Sequence, residues 1–116
     1  VALTPVSLDY NGKELYTDTA SYSAATATDG FTFQNDGRTL LHIKNGGTSG
    51  SCTVTIASPQ TCDQGGTHAV TVAVAQGEDA IIGLFPTHRF NSSSSGIVTA
   101  AISHFDAITA RALKLT

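Results

Sequence analysis

Tryptophan and methionine are absent from this chain, and only 13% of its 116 residues are charged. Six basic against nine acidic residues leave a net charge of −3. The basic residues, Lys13, Arg38, Lys44, Arg89, Arg111 and Lys114, are scattered along the sequence. Nucleic-acid binding needs such residues clustered on a face or stripe, so that class of partner is not expected. No apolar run approaches the ~20 residues of a membrane-spanning helix, so no membrane partner is expected either. Val1-Ala2-Leu3 lacks the basic start of a signal peptide and leads straight into polar residues. No signal peptide is therefore expected, and residue 1 reads as a processed or trimmed end. Convincing helical periodicity is also missing: even the stretch from Ile97 to Lys114 fits period two better than 3.6.

What the chain does have is Thr, Ser, Ala, Val and Gly, a small and β-branched composition that favours strands. Its 41% hydrophobic content with low net charge opposes disorder, and its length suits one domain. Short alternating runs recur between turn residues. "LTPVSL" (3–8) reads as a first strand, with Asn11-Gly12 as a turn after it. "FTFQ" (31–34) ends in Asn35-Asp36-Gly37, a turn signal. "RTLLHIKN" (38–45) sets Leu41 and Ile43 against His42 and Lys44 on the other face, and the glycine-rich 46–50 reads as a hairpin loop. "CTVTIAS" (52–58) turns Cys52, Val54 and Ile56 inward, and "HAVTVAVA" (68–75) buries Val70, Val72 and Val74. Gln76-Gly77 leads into "EDAIIGLF" (78–85). "GIVTAAIS" (96–103) and "DAITARALKL" (106–115) read as a closing pair joined across His104-Phe105. The expectation is an all-β, single-domain antiparallel sandwich or small barrel, Ig-like or jelly-roll-like. Residues 29–116 form its core, and the polar 1–28 an extended arm or edge region.

Candidate chemistry is sparse. Cys52 and Cys62 flank Ser58-Pro59-Gln60. A chain folding back there brings the two sulfurs together as a disulfide, worth about 3 kcal/mol for so short a loop. The alternative is a pair of thiols kept reduced in a cytosol. A metal site would have to add Asp63 and His68 to the cysteines, and no metal is expected. His42, His68, His88 and His104 form no i, i+2 or i, i+4 pair and read as surface or rim residues. There is no Gly-x-Ser-x-Gly elbow, and Glu78 and Asp79 point to opposite faces of a strand. The loop "NGGTSGS" lacks the Lys-Ser/Thr ending and following helix of a phosphate loop. No enzyme and no cofactor are expected. In "IIGLFPTHRFNSSSSGIV" (81–98), Pro86 reads as ending a strand, and Phe85 and Phe90 as anchoring the connection on the core. That leaves Thr87, His88 and Arg89 projecting, with His88 and Arg89 as candidate contacts to a partner. Tyr10, Tyr16 and Tyr22 are the other candidate contacts, since tyrosine joins apolar area to a polar tip.

Three runs together carry a family likeness: "DGRTLLHIKNGG", "CTVTIASPQTCDQGGTHAVTVAVAQGEDAIIGLFPTHRFN" and "IVTAAISHFDAITARALKL". Over roughly residues 29–115 the chain resembles the small head decoration (auxiliary capsid) proteins of tailed bacteriophages and prophages. In that family an Asn-Asp-Gly-Arg-Thr turn leads a strand ending in Lys-Asn, and Cys-Asp-Gln-Gly precedes a valine-rich strand. A Gly-Pro-Phe-Pro-Pro-x-x-Phe-Asn element precedes the last two strands. Here Leu84 and Thr87 replace two of its prolines, and Ser92–Ser95 stand where the family often has Asp, Ala, Asn and Gly. The resemblance implies a non-enzymatic protein, made in the host bacterial cytoplasm, that binds the major capsid protein on the outside of the mature head and stabilises it. It also implies self-association, with a trimer favoured. The alternative is a sandwich-type carbohydrate-binding module on a virion or cell surface. Such modules usually present a platform of exposed aromatics, whereas aromatics here are 7% and Trp is absent.

Overall fold

The computed structural model describes residues 1–8, 22–59, 69–92 and 95–115. Among them ten strands and one short helix form two sheets packed as a sandwich, which settles the choice between sandwich and barrel. The front sheet runs β1 (Ala2–Leu3), β4 (Phe31–Gln34), β9 (Ile97–Ile102), β6 (Cys52–Ile56), β7 (Val70–Val74). The back sheet runs β2 (Val6–Leu8), β10 (Ile108–Leu115), β5 (Thr39–Asn45), β8 (Asp79–Ile82). A two-residue strand, β3 (Ser23–Ala24), also pairs with β10, antiparallel at Thr109 and Ala110, while β2 covers Leu113 to Leu115. One helical turn, α1 (Thr87–Phe90), lies between β8 and β9.

Alternation builds the core. Phe31, Phe33, Cys52, Val54, Ile56, Val98 and Ala100 point inward from the front sheet, and Leu41, Ile43, Ile108, Ala110 and Ala112 from the back, all nearly or wholly buried. Bulk is offset by smallness across the strands: Phe31 stands opposite Ala100 and Phe33 opposite Val98, the interdigitation that dense packing requires. Gly30 turns the chain into β4 at φ +73, and a side chain there would run into the Ala100 carbonyl. The same turn receives the Val1 ammonium, which donates to Gly30 O at 2.8 Å.

Several expected elements take a different form. The first strand divides at Pro5, whose missing N–H and fixed φ interrupt a ladder. β1 joins the front sheet and β2 the back, each by a parallel pairing within otherwise antiparallel sheets. The last two strands are not a pair. β9 bonds to β4 and β6, β10 to β5, so residues 103–107 cross from one sheet to the other. The 46–50 loop likewise joins β5 to β6 across the sandwich rather than closing a hairpin. Buried Asn45 holds it: its Nδ2 donates to Gly50 O at 2.9 Å and Val74 O at 3.0 Å, and its Oδ1 accepts from Gly47 N. On β7 only Val74 is fully buried; Val70 and Val72 are half-buried because β7 is the end of its sheet. β8 stops at Ile82, before Pro86, since Gly83 takes φ +144.

Candidate functional site

The 83–91 connection is organised around buried aromatics. The Phe85 ring lies 5.5 Å from Phe33 and 5.7 Å, edge-on, from Phe90, separations typical of favourable aromatic pairs. Phe90 N and Arg89 N donate to Pro86 O at 3.0 and 3.1 Å, closing one helical turn where sequence alone indicated a loop. Pro suits that position because it has no N–H to leave unsatisfied. A reciprocal amide lock fixes the turn to the β4–β5 corner. Asn35 Nδ2 donates to Phe85 O at 2.8 Å and Asn91 Oδ1 at 2.7 Å, and Asn91 Nδ2 donates to Asn35 O at 2.8 Å. Asn35 Oδ1 accepts from Gly37 N at 3.0 Å, and Ser58 Oγ donates to Arg89 O at 3.1 Å. Thr87, His88 and Arg89 are left exposed at the apex, with the Arg89 guanidinium 4.8 Å from the centre of the Phe90 ring. Sequence placed Phe85, Phe90 and the apex correctly. The role of Asn35 and Asn91 was hidden, because each reads as an ordinary turn residue and their partnership spans 56 positions.

A second polar cluster occupies the outer face of the back sheet. His42 and Arg111 stand opposite each other across β5 and β10. Both are almost wholly buried, which corrects the expectation of surface histidines at this position. His42 Nε2 lies 2.7 Å from Asp79 Oδ2, and its Nδ1 lies 3.4 Å from the Tyr22 hydroxyl. Both contacts are satisfied when Nε2–H donates to the carboxylate and the hydroxyl donates to Nδ1. That hydrogen bond, above all, holds the Asp79 carboxyl below its ordinary pKa, with the charge of nearby Lys44 contributing. The Tyr22 ring meets His42 edge-on, with Lys44 Nζ at 4.2 Å and the Arg111 guanidinium at 4.7 Å from its centre. Tyr22, a candidate contact to a partner, is half-buried and packs on this cluster. Tyr10, Tyr16, Cys62 and His68 lie outside the described residues.

At the opposite end from α1, the 103–107 crossover is tied down on every side. Ser103 Oγ accepts from Thr53 N, and Ser103 N donates to Thr53 O. His104 Nε2 lies 3.3 Å from Gly50 O. Asp106 Oδ2 accepts from Thr48 N and Ser49 Oγ, both at 2.9 Å; these two bonds hold the carboxyl below its ordinary pKa. Between these anchors Phe105 is 50% exposed. Sequence treated His104-Phe105 only as a joint; the available signal was a large aromatic in a five-residue connection with polar neighbours on both sides. Beneath the tip, Cys52 is a buried free thiol, its Sγ 3.6 Å from His104 O. Cys62, the other half of the candidate bridge, lies outside the described residues; β6 turns Cys52 into the core, as its alternation dictates. No group of three or more His, Cys, Asp or Glu side chains converges as a metal site among the described residues.

The chain matches no protein-family model, no curated protein and no solved structure.

Proposed function

We propose that this protein is a capsid decoration protein. It binds the major capsid protein on the outer surface of an assembled head and reinforces the shell without catalysis. One observation carries the reading. Two of the motifs that bear the resemblance, Asn35-Asp36-Gly37-Arg38-Thr39 and Phe85-Pro86-Thr87-His88-Arg89-Phe90-Asn91, lie far apart in sequence yet hydrogen-bond into one unit through Asn35 and Asn91. Such a unit accounts for why both motifs occur together in one chain, and it presents Thr87, His88 and Arg89 on a rigid base. Preorganised side chains lose little entropy on binding, which suits a flat protein–protein contact.

The test is reconstitution. Purified protein is added to expanded shells that lack it, and binding is read by co-sedimentation and by the shell's melting temperature. Saturable binding at a fixed ratio to the major capsid protein, with a raised melting temperature, is the expected result. Folded protein that leaves the shells bare overturns the reading.

A further inference from the structure

Phe105 is an apolar knob on a rigid mount. Five residues, 103–107, carry it, and Ser103, His104 and Asp106 each bond to a neighbouring segment. Gly47 lies so close beneath that a side chain there would run into Asp106 O. A half-exposed phenylalanine held this way pays little ordering entropy on association, as interface anchors do.

The same chain carries a groove of matching chemistry at the other end. β6 runs from Cys52, beside the tip, to Ile56, which lines an open apolar groove of about 260 Å³ with Val70, Ile82, Leu84, Phe85 and Phe90. A cavity of about 150 Å³ accepts benzene, so a phenyl ring fits with room to spare. The groove opens where the sheets end in β7 and β8, and Leu84 at its mouth is 51% exposed. Charge is complementary as well: exposed Arg89 lies at the rim of the groove, and exposed Asp106 stands next to Phe105.

We propose that the Phe105 tip of one copy seats in the Leu84–Phe90 groove of a second copy, with Asp106 facing Arg89. Knob and groove are different surfaces, so the contact is heterologous: it propagates head to tail and closes into a ring where the rotation permits. This inference does not rest on the capsid reading, and its test uses the purified protein alone.

Sedimentation velocity from about 10 μM to about 1 mM, a range that registers even weak association, compares the wild type with Phe105→Ala and Leu84→Glu. The wild type is expected to self-associate with rising concentration, and each variant to do so at least about tenfold more weakly, the loss of a partly buried ring. An equimolar mixture of the variants should regain association but stop at a one-to-one pair. Phe105→Ala keeps its groove and Leu84→Glu keeps its knob, so only one productive contact remains. Thermal melting checks that each variant folds. If Leu84→Glu does not, Arg89→Glu on an exposed side chain repeats the groove-side test by repelling Asp106. A wild type that stays monomeric throughout, a Phe105→Ala variant that associates as the wild type does, or a mixture no better than its components overturns the proposal. Shell binding by a protein that never self-associates would defeat this inference and leave the capsid reading intact; the reverse result would do the opposite.

Discussion

Two of the crossovers between the sheets, β8 to β9 and β9 to β10, treat their phenylalanines in opposite ways. Between β8 and β9, Phe85 and Phe90 are buried to 3% and 6% exposure; between β9 and β10, Phe105 is 50% exposed. Length and polar anchoring explain the difference. Residues 83–96 are enough chain to bend back, wind one helical turn and lay both rings on Phe33 and the core. Residues 103–107 span the same gap with almost no slack, and all of them but Phe105 are tied to neighbouring segments. The remaining large side chain has no direction left but outward. An aromatic residue in a connection is therefore framework where the connection can return to the core, and a presented contact where it cannot.

The comparison breaks most visibly if the buried pair is dispensable. Phe85→Ala should cost about 3–5 kcal/mol of unfolding free energy, with Phe90→Ala at the lower end of that range, because each leaves a cavity the core cannot close. Denaturant melts measure this, and an unchanged midpoint for Phe85→Ala would remove the framework reading. Next comes the amide lock. Asn35→Ala removes the donor to Phe85 O and Asn91 Oδ1 and should cost about 1–3 kcal/mol. Because Asn35 and Asn91 serve each other, the double variant Asn35→Ala/Asn91→Ala should cost clearly less than the sum of the singles. Additive losses would mean that the two amides act separately.

These two regions also mark how far sequence could be read. Alternation at Leu41/Ile43 and Cys52/Val54/Ile56 places the core faces, since a strand with period two has one inward set. Turn chemistry at Asn35-Asp36-Gly37 and Gln76-Gly77 places the corners. Sheet membership is another matter. β9 and β10 alternate in the same manner whether they pair with each other or cross the sandwich, so nothing local distinguishes a hairpin from the observed crossover. Burial of His42 was hidden for a similar reason. It sits on what alternation marks as the outer face, and its cover comes from Tyr22 and Asp79, 20 positions before and 37 after it. Phe105 was illegible as a contact because its exposure depends on where Ser103, His104 and Asp106 find their partners.

A smaller effect comes from the acidic residues. The carboxyls of Asp36, Asp79 and Asp106 are all held below their ordinary pKa, chiefly by hydrogen bonds from Arg38 N, His42 and Thr48 N respectively. Each prefers the charged form in the folded state, so its contribution is complete above the ordinary carboxylate pKa, about 3.9, and fades as pH falls below it. All three are on or near the surface, where water and salt screen such gains, so the loss should be gradual rather than a collapse. Melting temperature followed from pH 6 downward reads this. Asp106→Asn should flatten part of the acid limb, and it acts at the tip, whereas Asp36→Asn acts at the corner below Phe85. A melting curve insensitive to both would detach the acid limb from either crossover.

The smallest expected stability effects sharpen the comparison most. Arg89→Ala and Phe105→Ala should each stay within about 0.5 kcal/mol of the wild type in denaturant melts, as exposed positions do. For Arg89 the reasoning is that its backbone, through Arg89 O and Ser58 Oγ, carries the local structure, and alanine keeps that bond. Arg89→Ala should still weaken binding to shells, because it strips the apex of its one cation while leaving Phe90 in place. For Phe105 the ring's half exposure leaves little burial to forfeit, and the anchors of the crossover belong to Ser103, His104 and Asp106. A Phe105→Ala variant that loses 2 kcal/mol or more would mean that the ring supports the sandwich after all. The two crossovers would then differ in degree of burial and not in role.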